Sequence, residues 1–185
     1  MSLQTKIILL IMESKKTMSQ SAEAQMNVTY GELKDLLNTL IKTKLSYNQI
    51  RTRLQVLGVT AGQDPEEDFN NYIDNSVDDV SYLISSKIKY DFSKIGVITS
   101  EHDSTQKMFL QNVDPELYSI ISNLALEREK YKDAYSEMEE NSFEVGKSDF
   151  NEFISNINDN IFNVATMISQ KIVAEVIKWE SDEEV

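Results

Sequence analysis

The chain has 185 residues, with 31 Asp+Glu against 18 Lys+Arg for a net charge of −13, no cysteine, one histidine, two prolines and five glycines. That length suits one domain, or one domain with an arm, and at this size about 70% of the unfolded surface can be buried without covalent staples. The missing cysteines exclude disulfides, zinc ribbons, iron–sulfur clusters and thiol nucleophiles, the single histidine excludes a multi-histidine metal site, and the scarcity of Gly and Pro argues against phosphate-cradling loops and a turn-dense β fold.

The charge is distributed unevenly. Residues 1–58 hold eight Lys/Arg and four acids, a net of +4, whereas residues 59–185 hold ten Lys/Arg and 27 acids, a net of −17. An acidic surface repels nucleic acid and anionic lipid, so any nucleic-acid contact is expected in the first third of the chain. Low Arg beside abundant Lys, Ile, Asn and Tyr suits an AT-rich genome, as found among viruses, plasmids and archaea.

In chain order, the most apolar run is Ile-Ile-Leu-Leu-Ile-Met at 7–12. It is shorter than a signal-peptide core, has no small-residue cleavage site after it, and falls far below the roughly 20 apolar residues of a membrane span. Ile7, Ile8, Leu9, Leu10 and Ile11 are therefore expected to form an arm that docks on the chain's own body or on a partner, with no membrane involved. Residues 14–28 are polar and read as the linker that completes an arm over 1–28. Met12, Met18 and Met26 are each placed to serve as a later translation start.

Thr29-x-x-Glu32 is a capping box followed by Leu33, Leu36, Leu37, Leu40 and Ile41 at helical spacing. Ser46-x-x-Gln49 is a second capping box, followed by Ile50, Leu54 and Leu57, with Gly58 as a C-terminal stop. Together they predict a small helical hairpin over 29–58. Asp64-Pro65-Glu66-Glu67 offers an N-cap, a Pro at the first helical position and first-turn acids, and Phe69, Ile73, Val77, Val80, Ile84 and Ile88 mark one face of the helix that follows.

Residues 91–113 carry the weakest pattern. β-Branched residues cluster around Gly96 within 94–99, yet a lone strand needs a partner, so this stretch is expected to be a loop or extended segment before a short helix at 105–112. Asp114-Pro115-Glu116 repeats the helix-start signal, with Leu117, Ile121, Leu124, Tyr131, Tyr135 and Met138 behind it. Residues 141–147 read as a turn. Asp149-x-x-Glu152 then opens a last helix whose stripe runs through Phe150, Phe153, Ile154, Ile157, Ile161, Ala165, Ile168, Ile172 and Trp179. The tail at 180–185 is acidic. The expected fold is all-α, one domain over 29–179: the hairpin at 29–58, and a bundle of long antiparallel helices over 65–179 in which 115–140 pairs with 149–179.

Candidate chemistry is sparse. His102, between Glu101 and Asp103, has no nucleophile or oxyanion-hole motif near it in sequence and reads as a loop histidine. A di-iron carboxylate bundle needs Glu-x-x-His on each of two helices, which one histidine cannot supply. Residues 74–85 begin like a calcium loop but place Asp79 where Gly is required and Ser85 where Glu is required. None of GxxxxGK[ST], GxGxxG, GxSxG or HExxH occurs. No catalytic, cofactor-binding or metal-ligating residue is expected, and the chain is not expected to be an enzyme.

The leading expectation is a cytoplasmic, non-enzymatic helical subunit that works through protein partners or self-association. A second reading is DNA or RNA binding through a helix-turn-helix at 29–58, in which Lys42, Lys44, Asn48, Gln49, Arg51 and Arg53 face base edges and phosphates; the segment's net charge of only +3 limits it. A third is an acidic mimic of nucleic acid that occupies another protein's binding groove.

Overall fold

The computed structural model describes residues 28–58, 64–93, 101–141 and 146–182, with the side chains of 68–93, 104–141 and 146–179 beyond the first segment. The expected arm at 1–28, apart from Val28, the extended segment at 94–99 and the end of the acidic tail lie outside the described residues. Among the described residues the fold is all-α and holds five helices: α1 Tyr30–Val56, α2 Asp64–Ser93, α3 Glu101–Val113, α4 Pro115–Glu140 and α5 Lys147–Asp182. They fall into two compact units, one built from the chain up to Ser81 together with Val173–Val185, the other from Tyr82–Ile172.

In the first unit, α1 starts where its capping box predicts. The Glu32 N–H donates to Thr29 Oγ1 at 3.1 Å, and the Thr29 N–H donates back to Glu32 Oε2 at 2.8 Å, satisfying two otherwise orphaned donors. The second capping box is not used. Residues 30–56 form one unbroken helix of 27 residues, so the small hairpin expected at 29–58 does not form. The physical reason is local: residues 42–45 contain no Gly or Pro to break the helix. The Thr39 and Thr43 hydroxyls donate to the carbonyls of Asp35 and Thr39 one turn earlier, at 2.9 and 2.7 Å, and are thereby satisfied within the helix.

α1 ends at Leu57, whose N–H donates to the Arg53 carbonyl at 3.1 Å. Gly58 then follows with φ +76°, the left-handed stop that favours glycine. α2 runs back antiparallel: Lys44 pairs with Asp74 at 2.6 Å, and three residues on, Tyr47 meets Phe69 with ring centroids 4.2 Å apart. Lys34 pairs with Glu175 of α5 at 3.2 Å.

In the second unit, α4 and α5 form the expected antiparallel hairpin. Partners advance in opposite directions along the two helices: Asp114 with Lys171, Arg128 with Asn158, Tyr131 with Phe153 and Tyr135 with Phe150. Their apolar stripes are buried as predicted at Leu117, Ile121, Ile157, Ile161, Ala165, Ile168 and Ile172. The helix anticipated at 105–112 is longer, spanning Glu101–Val113, and it includes His102 in its first turn rather than in a loop. The α5 stripe closes at Val176. Trp179, expected within it, is 68% exposed.

Replacing Gly58 with Ala should cost about 1–2 kcal/mol, because an L side chain is forced into the left-handed region, while Asn should cost less. Urea unfolding of the two variants beside the parent chain checks the order.

Candidate functional site

The six residues expected on a recognition helix sit on two sides of α1. Lys42, Gln49 and Arg53 are exposed, whereas Lys44 and Asn48 are half-buried and Arg51 is only 7% exposed. Lys44 is also engaged by both oxygens of Asp74, at 2.6 and 2.7 Å. With one continuous helix in place of two, no turn projects these side chains together. The expected arm residues Ile7, Ile8, Leu9, Leu10 and Ile11 lie outside the described residues, as does the His102 side chain.

The outward face of α1 carries something else. Positions 42, 46, 49, 50, 53 and 57 follow one another at helical spacing, and all are exposed. In the last two turns of that face and its edge, Ile50 is 58% exposed, Val56 81% and Leu57 76%. Upstream, the opposite face of the same helix buries Tyr30, Leu33, Leu37, Leu40 and Ile41. The apolar stripe thus runs true through the first half of α1 and then drifts outward. A cluster of large apolar side chains exposed within two turns, ringed by polar ones, marks an interaction site more often than an isolated exposed leucine does. The sequence pattern assigns Ile50 and Leu57 to a second helix of a hairpin. Their phase against Leu37 and Leu40 on one continuous helix is the signal that would have put them outside.

The charged clusters of the second unit are tied to structure. Asp114 caps α4: the Leu117 N–H donates to its Oδ1 at 2.9 Å, and Lys171 bonds to its Oδ2. The Lys171 ammonium first, and the Leu117 N–H next, hold its carboxyl below the usual aspartate value against the opposing effect of burial. Arg128, 3% exposed, donates from Nη2 to the Phe92 carbonyl at 2.7 Å, from Nη1 to Asn158 Oδ1 at 3.0 Å and from Nε to Glu129 Oε1 at 2.9 Å. It therefore ties the C-terminal carbonyls of α2 to α4 and α5. Burial acts to raise the Glu129 carboxyl, but Lys132 and Arg128 outweigh it and leave it lowered. At the hairpin end, Tyr135 stacks on Phe150 at 3.9 Å between centroids, and burial followed by the Glu139 carboxylate pushes its phenol up.

Among the described residues no group of three or more His, Asp or Glu is arranged to hold a metal ion, and no helix is long and apolar enough to cross a membrane. No known family, curated protein or solved structure matches this chain.

Two outcomes follow from these clusters. Arg128→Met should destabilise by about 1–3 kcal/mol, since it leaves the buried Phe92 carbonyl without its donor. Arg128→Lys should recover little of that, because an ammonium cannot reproduce a three-way fork; thermal and urea melts of both variants test this. Because the folded Asp114 value is depressed, its contribution to stability is present above the unfolded value, near 3.8, and is lost as pH falls from there through the lower folded value. Asp114→Asn should flatten that acid limb in a series of urea melts at falling pH, while leaving the slope near neutrality unchanged.

Proposed function

We propose that this chain is a non-enzymatic helical docking subunit, and that the C-terminal two turns of α1 are the surface it presents to a protein partner. The observation that supports this is the outward set of Ile50, Val56 and Leu57 on a helix whose earlier apolar residues are buried. Large apolar anchors ringed by polar residues are the composition of an interface centre and its rim. Nucleic-acid binding is favoured less by the same geometry. Arg51 is buried, Lys44 is held by Asp74, and the outward face offers Lys42 and Arg53 as its cations, too few phosphate contacts for strong binding.

One observation supports acidic mimicry as a second reading. The exposed side chains of α2 between Asp68 and Val80 are Asp68, Asn71, Asp74, Asn75, Asp78 and Asp79, with no base among them. A partner that binds this strip should release DNA as it does so; simultaneous binding of both would end the mimic reading.

The docking reading is tested by affinity purification of the full chain from its native host under nuclease treatment, beside an Ile50→Asp/Leu57→Asp variant. Both positions are already exposed, so the variant should keep the parent's circular dichroism and melting behaviour. A nuclease-resistant partner captured by the parent and lost by the variant is the expected result. Equal capture by both removes the α1 surface from the proposal.

A further inference from the structure

We infer that the seam between α1 and α2 binds one internal water molecule, which donates to the side-chain oxygens of both Asn48 and Asn70. The inference concerns the inward face of α1 and is independent of the docking reading. That face is apolar through Tyr30, Leu33, Leu37, Leu40 and Ile41 and then turns polar, with Lys44, Asn48 and Arg51 at successive turns. On α2 the answering positions are Asp74 and Asn70. Lys44 bonds to Asp74 at 2.6 Å, and Tyr47 meets Phe69 with ring centroids 4.2 Å apart. In an antiparallel pair, one turn forward on one helix meets one turn back on the other. Asn48 lies four residues after Lys44 and Asn70 four before Asp74, so each keeps the face of its predecessor and the two lie level.

Both asparagines are half-buried, yet the Oδ1 of each is fully buried, and among the described residues no donor reaches either oxygen. Neither amide therefore donates to the other across the seam. A buried oxygen left without a donor costs its full desolvation, and native proteins satisfy such groups with their own donors or with internal water. Two level acceptors call for one molecule that carries two donors. A cation can also be held by amide oxygens, but Arg51, 7% exposed and one turn along the same face, places a positive charge near them and disfavours it. The neutral ligand that donates twice and is small enough for a helix–helix contact is water, which takes two to four polar partners when internal.

A high-resolution crystal structure of the full chain tests the geometry directly. One water within about 2.7–3.1 Å of both Oδ1 atoms is the expected result. A protein donor on either oxygen overturns the inference, as do separate waters on each. Urea unfolding of Asn48→Leu, Asn70→Leu and the double variant tests the energetics. If the oxygens share a water, each single change strips it of one acceptor and leaves a polar pair half satisfied, so the unfolding constant should rise roughly tenfold. The double change removes both acceptors and should return the constant to within about threefold of the parent. Stranded oxygens with no shared water reverse the sign: each single Leu lowers the unfolding constant and the two effects add, which overturns the inference. Melts in sodium, potassium and choline chloride at one ionic strength separate water from a cation. Equal melting is expected, and stabilisation by one metal cation that vanishes in the double variant assigns the seam to that ion instead.

Discussion

The isoleucine ladder of α5 is the constraint that the fold of this chain answers to. Ile161, Ile168 and Ile172 are almost fully buried, Ile157 and Val176 extend the row, and the small side chains of Ala165 and Ser169 are buried between them. With no cysteine to cross-link the chain, burial of such rows is the principal source of stability, each side chain contributing about 1.5–3 kcal/mol. A buried row running from Ile157 to Val176 needs neighbours of comparable length. Within the second unit α4 meets it as an antiparallel partner.

Arg128 shows how the acidic half of the molecule tolerates such packing. Residues 59–185 carry a net −17, and Arg128 is, with Lys87, one of two of their ten bases that are buried in the second unit. Its position, seven residues before Tyr135 and seven after Ile121, is in phase with the apolar stripe of α4. A planar cation there satisfies the Phe92 carbonyl at the end of α2, where the helix dipole favours positive charge, and reaches Asn158 on α5 at the same time. A buried charge of this kind is better understood as fixing which helices meet, and in what register, than as a net source of stability.

Much of this was legible in the sequence, for identifiable reasons. The Asp114-Pro115-Glu116 start works as read, because an N-cap, a Pro without an N–H and a first-turn acid answer local needs that no tertiary contact has to supply. The hairpin of α4 and α5 follows from two long stripes and a short connection. The reading failed where an identical local signal has two uses. Thr29-x-x-Glu32 and Ser46-x-x-Gln49 are both capping boxes by pattern, yet only the first follows residues that leave the helix. Without a breaker before it, Ser46 simply faces outward within α1. Splitting α1 into two helices also conceals the outward position of Ile50 and Leu57, which follows from their phase on one continuous helix. Trp179 lies past the last buried position of its stripe, Val176, and the burial of Arg128 shows in sequence only as its phase with Ile121 and Tyr135.

The unequal burial along α1 has a thermodynamic consequence of its own. Its first half is clamped by five buried side chains, while its last two turns contribute Arg51 to the interior and leave three large apolar groups in water. Helical turns without tertiary burial are marginal in water, so local opening free energy should fall along this one helix toward Gly58. A ligand seated on those turns supplies the missing burial and raises their protection by an amount set by its concentration relative to its dissociation constant. Amide exchange at the C-terminal end of α1 is then a built-in gauge of occupancy, and the amides around Leu37 serve as its internal reference.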